Sequence, residues 1–322
     1  MTPDLTEYGA CVVRFDDAAK LEGKKYVEDR RGRRGPSGGA RPASGGLPMG
    51  KGGLGSIIIV LLVALLGGGS LLGEGATSSP ALEVGPPLGS GQAADGNDEE
   101  VLYIGALMGD IQETWDRKFE EAGRQFEYTT IVPFEGSVAT GCGNATSAVG
   151  PFYCPAPGDN KVYLDLGFWD DLATKFGAPG DFAQAYVIAH EVGHHIQSVT
   201  GISDSVRQIQ AQNPGAKNEL SVRQELQADC LAGVWANDAS QRRNADGTRI
   251  IEAGDIEEGL DAAAGVGDDR IQQQAGMRVD PHGWTHGSAR ARQFWFMEGF
   301  NSGDPERCDT FAEGVSRADV GL

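Results

Sequence analysis

Histidine and cysteine are both scarce in this 322-residue chain, with five of each. The cysteines show none of the close pairs that build cysteine-ligated zinc modules, so that class is excluded. Positive charge is missing over a long stretch, since no Lys or Arg occurs between Lys51 and Arg117. The first 53 residues hold ten Lys and Arg against seven Asp and Glu, and the remainder holds 17 against 39. So acidic a body disfavours nucleic acid and anionic lipid as ligands. No internal repeat is evident.

Against that scarcity, three of the five histidines fall within six residues. His190-Glu191-Val192-Gly193-His194 is an H-E-x-x-H sequence inside a helical pattern. Residues four apart share a helix face at about 5–6 Å, so both imidazoles can reach one zinc ion. Glu191 then lies beside the metal as general base for a water the metal activates, and as acid toward a leaving amine. The apolar positions Phe182, Tyr186, Ala189, Val192, Ile196 and Val199 recur at three and four, predicting a buried stripe. Asp181 and Gln184 have the form of a capping box, and Gly201 supplies the stop. Gly193 implies close approach by another backbone, by substrate, or tight packing.

A catalytic zinc usually takes a third protein ligand and leaves one position open. Ser221 to Asp229 offers another capping box followed by a helical pattern, with Glu225 and Asp229 four apart. Glu225 completes a His-His-Glu set, and Asp229 is placed to accept the free N–H of His190. A solvated helix face is the plainer alternative for this pair.

The two helices resemble the gluzincin arrangement, H-E-x-x-H on one and E-x-x-x-D on the next. More closely, residues 183–197 resemble the bacterial neutral zinc metallopeptidases of the YpfJ-like family. So do Gly150 to Pro155, Val162 to Leu166, Glu225 to Cys230, Thr285-His286-Gly287, Cys308 to Phe311 and Val27 to Gly32. That resemblance implies a membrane-anchored zinc peptidase. It does not supply a natural substrate.

Among the other histidines, His286 precedes a helical pattern and is a candidate donor to the oxyanion; a structural loop histidine is the alternative. Arg290 and Arg292 could serve likewise, although solvated charges explain them better. His195 is expected at the surface or behind the ligands, and His282 in a loop.

Residues 54–73 carry no charge and match the roughly 20 residues that span a bilayer. Arg30, Arg31, Arg33, Arg34, Arg41 and Lys51 precede them, which predicts a cytoplasmic N-terminus and an extracytoplasmic body. A cleaved signal peptide or a buried helix are the alternatives. The expected organisation is a basic, mostly disordered segment 1–53, a transmembrane helix 54–73, a flexible linker 74–100 and one metallopeptidase domain 101–322. An oxidising compartment would permit Cys142–Cys154 with Cys230–Cys308, against a free, buried Cys230. Cys11 is left over. It precedes Arg14-Phe15-Asp16-Asp17, which has the look of a family start, so translation from Val13 is an expectation.

Capping patterns at Asp110/Glu113 and Asp255/Glu258 predict further helices, and Tyr128 to Phe134 and Lys161 to Leu166 predict strands. Either strand could take an extended substrate by strand addition, or the two could form a hairpin closed by the Cys142–Cys154 loop. The fold class expected is α+β, with helices carrying one zinc and a small sheet beside them. The function expected is zinc-dependent hydrolysis of a peptide or protein substrate. A zinc amide hydrolase acting on cell-wall peptides, or a non-catalytic zinc-stabilised envelope scaffold, are its rivals.

Overall fold

The computed structural model describes residues 13–32 and 98–322, and in both stretches aspartate starts the first helix. Asp16 accepts the Ala19 N–H at 2.8 Å to begin α1 (Asp17–Gly23). Asp98 accepts the Glu100 N–H at 3.0 Å to begin α2 (Glu99–Glu121), with Glu99 and Glu100 adding negative charge at the positive helix end. A side chain on Gly23 would lie 2.2 Å from the Gly105 carbonyl, so the two helices touch backbone to backbone.

A small sheet follows. It begins with β1 (Thr130–Phe134) and continues through the hairpin β2 (Ser137–Thr140) and β3 (Gly143–Thr146), which pair only with each other. Next come β4 (Phe152–Cys154) and β5 (Lys161–Asp165). β5 is the middle strand, parallel to β1 and antiparallel to β4. Helices then dominate: α3 (Phe168–Thr174), α4 (Asp181–Val199), α5 (Ile202–Gln212), α6 (Lys217–Gln241), α7 (Ala253–Gly265), α8 (Asp268–Gln274) and α9 (Ala289–Ser302). α6 is the spine, with α4 on one side and α9 on another. Phe182 of α4 stacks on Trp235 of α6 at 6.1 Å, and Phe296 of α9 meets Phe182 and Tyr186 edge-on, so one aromatic cluster joins all three. The α+β class is as expected.

Several boundaries differ from the sequence reading, for one shared reason: a cap-type polar residue followed three residues later by another polar group marks a helix face as well as a helix start. Asp110 lies in the middle of α2, buried, where it accepts Trp235 Nε1–H at 2.8 Å and pairs with Arg242. Asp181 is the first residue of α4, capped by Gly180, and its carboxylate accepts the Val13 N–H at 2.7 Å. Ser221 sits within α6, not before it. At α7 the capping box is one turn earlier than expected, with Glu252 at the cap and Asp255 answering it. The expected strands are neighbours, but parallel, so they do not form a hairpin.

Residues 13–32 do not belong to a separate disordered segment. Val13 is 2% exposed, Glu28 N–H and Arg30 N–H donate to the Ile131 and Pro133 carbonyls at 2.9 and 3.0 Å, and Arg31 pairs with Asp98 at 2.8 Å. This stretch therefore lines the outer edge of β1 and closes it. The apolar run 54–73 and Cys11 lie outside the described residues. Among the described residues no helix is long and apolar enough to cross a membrane.

Candidate metal centre

α4 forms because its apolar stripe has somewhere to go: Phe182, Tyr186, Ala189, Val192 and Ile196 are all buried. That anchoring turns His190 and His194 toward α6, their rings perpendicular with centroids 4.8 Å apart. Gly193 permits the approach, since a Cβ there would lie 3.0 Å from the Ala228 backbone of α6. Close helix packing, and not substrate, explains that glycine.

Across the interface Glu225 meets both imidazoles. Its Oε2 lies 3.1 Å from His190 Nε2 and its Oε1 lies 3.5 Å from His194 Nε2. One ligand atom from each residue falls within 4.8 Å of the others. Asp229, one turn on, accepts His190 Nδ1–H at 2.7 Å. The expected residues are thus brought together in the expected arrangement. Two neutral imidazole nitrogens and a carboxylate form a donor set suited to zinc, and His190 presents Nε2 because Nδ1 is already engaged.

The electrostatics come from burial and close charges. Burial would raise Asp229, but Arg292 and His190 overcome it and hold the carboxyl at about 2. Burial opposes charge on His190, yet Asp229 and Glu225 raise it to about 9, so protons compete with a cation for its Nε2. Glu225, although buried, is held well below the ordinary range by His194, His190 and His286. Glu191 is 7% exposed; burial lifts its carboxyl, while His194, His190 and the Tyr153 backbone N–H pull it back.

His286 reaches the same centre from the loop before α9. It is buried, and its Nδ1 faces Asp268 at 3.1 Å. The other Asp268 oxygen accepts the N–H groups of Thr285, His286 and Gly287 at 2.7–2.9 Å. Despite its burial, Asp268 is held low by the His286 side chain and by the backbone N–H groups of His286 and Gly287. Asp268 carried no spacing signal in the sequence.

Arg292 is not a solvated charge. It is 3% exposed, with Nε and Nη2 on the two Asp229 oxygens at 2.8 and 2.9 Å and Nη2 also 3.1 Å from Tyr186 Oη. Tyr186 O–H itself donates to Asp229 at 2.5 Å. A signal for Arg292 did exist, because it falls on the buried stripe of α9 with Ala289, Phe296 and Gly299. Arg290 is exposed, as a solvated charge should be. His195 is neither at the surface nor behind the ligands: it is fully buried, accepting from Tyr153 O–H and donating to the Glu127 carbonyl, and burial keeps it neutral by lowering its pKa. His282 is exposed, within a single 3-10 turn, Pro281–Gly283, and not in an open loop.

Both expected disulfides are present. Cys142–Cys154 ties the β2–β3 turn to β4, and Cys230–Cys308 ties α6 to the C-terminal segment.

No solved structure matches the chain. It is 44% identical over 305 residues to YpfJ, an uncharacterised protein of Escherichia coli (strain K12), covering 92% of this chain and all of that one. It is 49% identical over 195 residues to Rv2575, an uncharacterised protein of Mycobacterium tuberculosis (strain ATCC 25618 / H37Rv), covering 58% of this chain and 62% of that one. A family model described as "Putative neutral zinc metallopeptidase" matches residues 18–311, almost the whole of the described structure, and the chain belongs to that family.

Proposed function

We propose that the protein is a zinc-dependent peptidase in which His190, His194 and Glu225 hold the metal. The observation that carries this reading is the meeting of both Nε2 atoms with the Glu225 carboxylate while Glu191, a buried acid outside the ligand set, stands beside them. A purely structural site has no use for such a base. When bound, zinc would polarise the scissile carbonyl and lower the pKa of a water from roughly 15.7 to about 7. Glu191 takes the proton from the attacking water and delivers it to the departing amine, a role its burial-raised pKa suits. His286, anchored at Nδ1 by Asp268, is the residue that steadies the developing oxyanion.

An extended peptide fits best along β4. β5 is paired on both sides and β1 is covered by residues 27–30, so neither strand named from the sequence offers a free edge. β4 is the sheet edge beside α4, and its Tyr153 N–H faces Glu191. Attachment to a cell membrane through residues 54–73 remains part of the proposal. So does an extracytoplasmic folded unit, a setting in which two disulfides persist. Residues 13–32 then lie on the same side as residues 98–322.

The test pairs Glu191→Gln with His190→Ala in a peptide-library digest with zinc analysis. Glu191→Gln should keep zinc and lose hydrolysis, whereas His190→Ala should lose both. Undiminished cleavage by Glu191→Gln would exclude the proposed base.

A further inference from the structure

Among the described residues, no carboxylate accepts from the outer nitrogen of His194. Its Nδ1 faces Gln197 Oε1 at 2.9 Å, one turn along α4. An amide oxygen and nitrogen look alike in shape, so what decides which of them faces the imidazole is the company the amide keeps. Gln197 Nε2 donates to the Gln224 carbonyl at 2.7 Å and to Gln227 Oε1 at 3.0 Å. Gln227 Nε2 in turn donates to the Cys308 carbonyl at 3.1 Å. A backbone carbonyl can only accept. The Gln224 carbonyl therefore demands the NH₂ of Gln197, and the Cys308 carbonyl demands the NH₂ of Gln227, so both amides point one way. Gln197 must then present its oxygen to His194. That places the proton on Nδ1 and leaves the Nε2 lone pair toward Glu225 and His190.

We infer that Gln197 is the positioning residue for His194, and that the Gln227–Cys308 arm fixes its direction. This rests on the metal-site reading above. Gln197 is fully buried and Gln227 is 5% exposed, so water does not substitute for a lost partner. The far end is itself held: Cys308 is bonded to Cys230 of α6, and Thr310 Oγ1 donates to the Arg223 carbonyl at 2.6 Å. The two imidazoles are thus oriented by different means. His190 relies on an anion paired with Arg292, and His194 relies on a neutral relay that ends on backbone.

The experiment uses the full chain, stripped of metal, and measures zinc affinity by competition with a chromophoric chelator. Gln197→Met keeps size and removes both the acceptor and the donors. The expected loss of zinc affinity is about 10–100-fold, the usual cost of removing a ligand's outer partner. Gln227→Met should weaken zinc in the same direction by less. Thermal melting of the metal-free proteins separates positioning from simple packing, because a packing role lowers the apo melting temperature without changing zinc affinity. In the zinc-loaded wild type, ¹⁵N-edited NMR should show a His194 Nδ1–H that exchanges slowly with water.

Equal zinc affinity for wild type and Gln197→Met overturns the inference and leaves the metal site standing. A wild type that takes up no zinc overturns the site and the inference together. Should Gln197→Met not fold, the wild-type spectrum decides: a rapidly exchanging Nδ1–H, or zinc bound through Nδ1, rejects the relay.

Discussion

Removing Arg292 tests how the ligand helix is held. The Arg292–Asp229 pair is buried on both sides, 3% and 0% exposed, with two hydrogen bonds of 2.8 and 2.9 Å. Arg292→Met strands a buried carboxylate, and Asp229→Asn strands a buried guanidinium beside an amide. Breaking one partner of such a pair costs about 3–5 kcal/mol, mainly because the survivor is an uncompensated charge. Removing both leaves no stranded charge, so the double variant should lose less than the sum of the singles by roughly 0.5–3 kcal/mol. Urea unfolding of the metal-free proteins at one pH supplies all four corners of this cycle, with the midpoint and slope read together. Tyr186 O–H and His190 Nδ1–H still reach Asp229 in Arg292→Met, which keeps that variant the milder single. Additive losses, within about 0.3–0.5 kcal/mol, would refute the claim that the pair is coupled.

A second outcome concerns pH. Burial and the neighbouring Asp255 raise Asp181 to about 6, and burial and Asp181 raise Glu258 to about 6. The native state keeps protons that the unfolded chain releases above about pH 4, so stability should fall as pH rises from 4 to 6 and then level. Asp181→Asn should flatten that slope in melting temperature; an unchanged slope rejects the assignment. For topology, cysteines placed at exposed Leu21 and Met277 in otherwise unaltered protein should label from the same side of the membrane in intact cells. Labelling from opposite sides would mean residues 13–32 are not folded onto the body. Finally, Asp268→Asn should lower kcat with little change in zinc content, and His286→Ala should lower kcat at least as far. Full activity in His286→Ala would remove it from the reaction.

The parts of this centre legible in the sequence are those written at helical spacing. His190 with His194, and Glu225 with Asp229, are each four apart, so two short windows declare two faces. Their convergence needed only adjacent helices. Arg292, Asp268 and Gln197 escaped for a different reason: each acts on a partner whose position is set by the fold. Arg292 reaches Asp229 across 63 positions of chain. Asp268 reaches His286 across 18. Gln197 is close to His194 in sequence, but only the Gln224 and Cys308 carbonyls give its amide a direction. The packing of the segment 13–32 onto the body is not legible, because basic residues and a following Gly-rich stretch resemble an unfolded flank. Its bonds to Ile131, Pro133 and Asp98 have no local signature.

X-ray absorption at the zinc edge of the loaded full chain tests the central claim most directly. The account expects one zinc with two imidazoles and carboxylate oxygen at about 2.0–2.2 Å, falling to one imidazole or no metal in His194→Ala. A sulfur scatterer near roughly 2.3 Å, or an unchanged spectrum in Glu225→Ala, would contradict it.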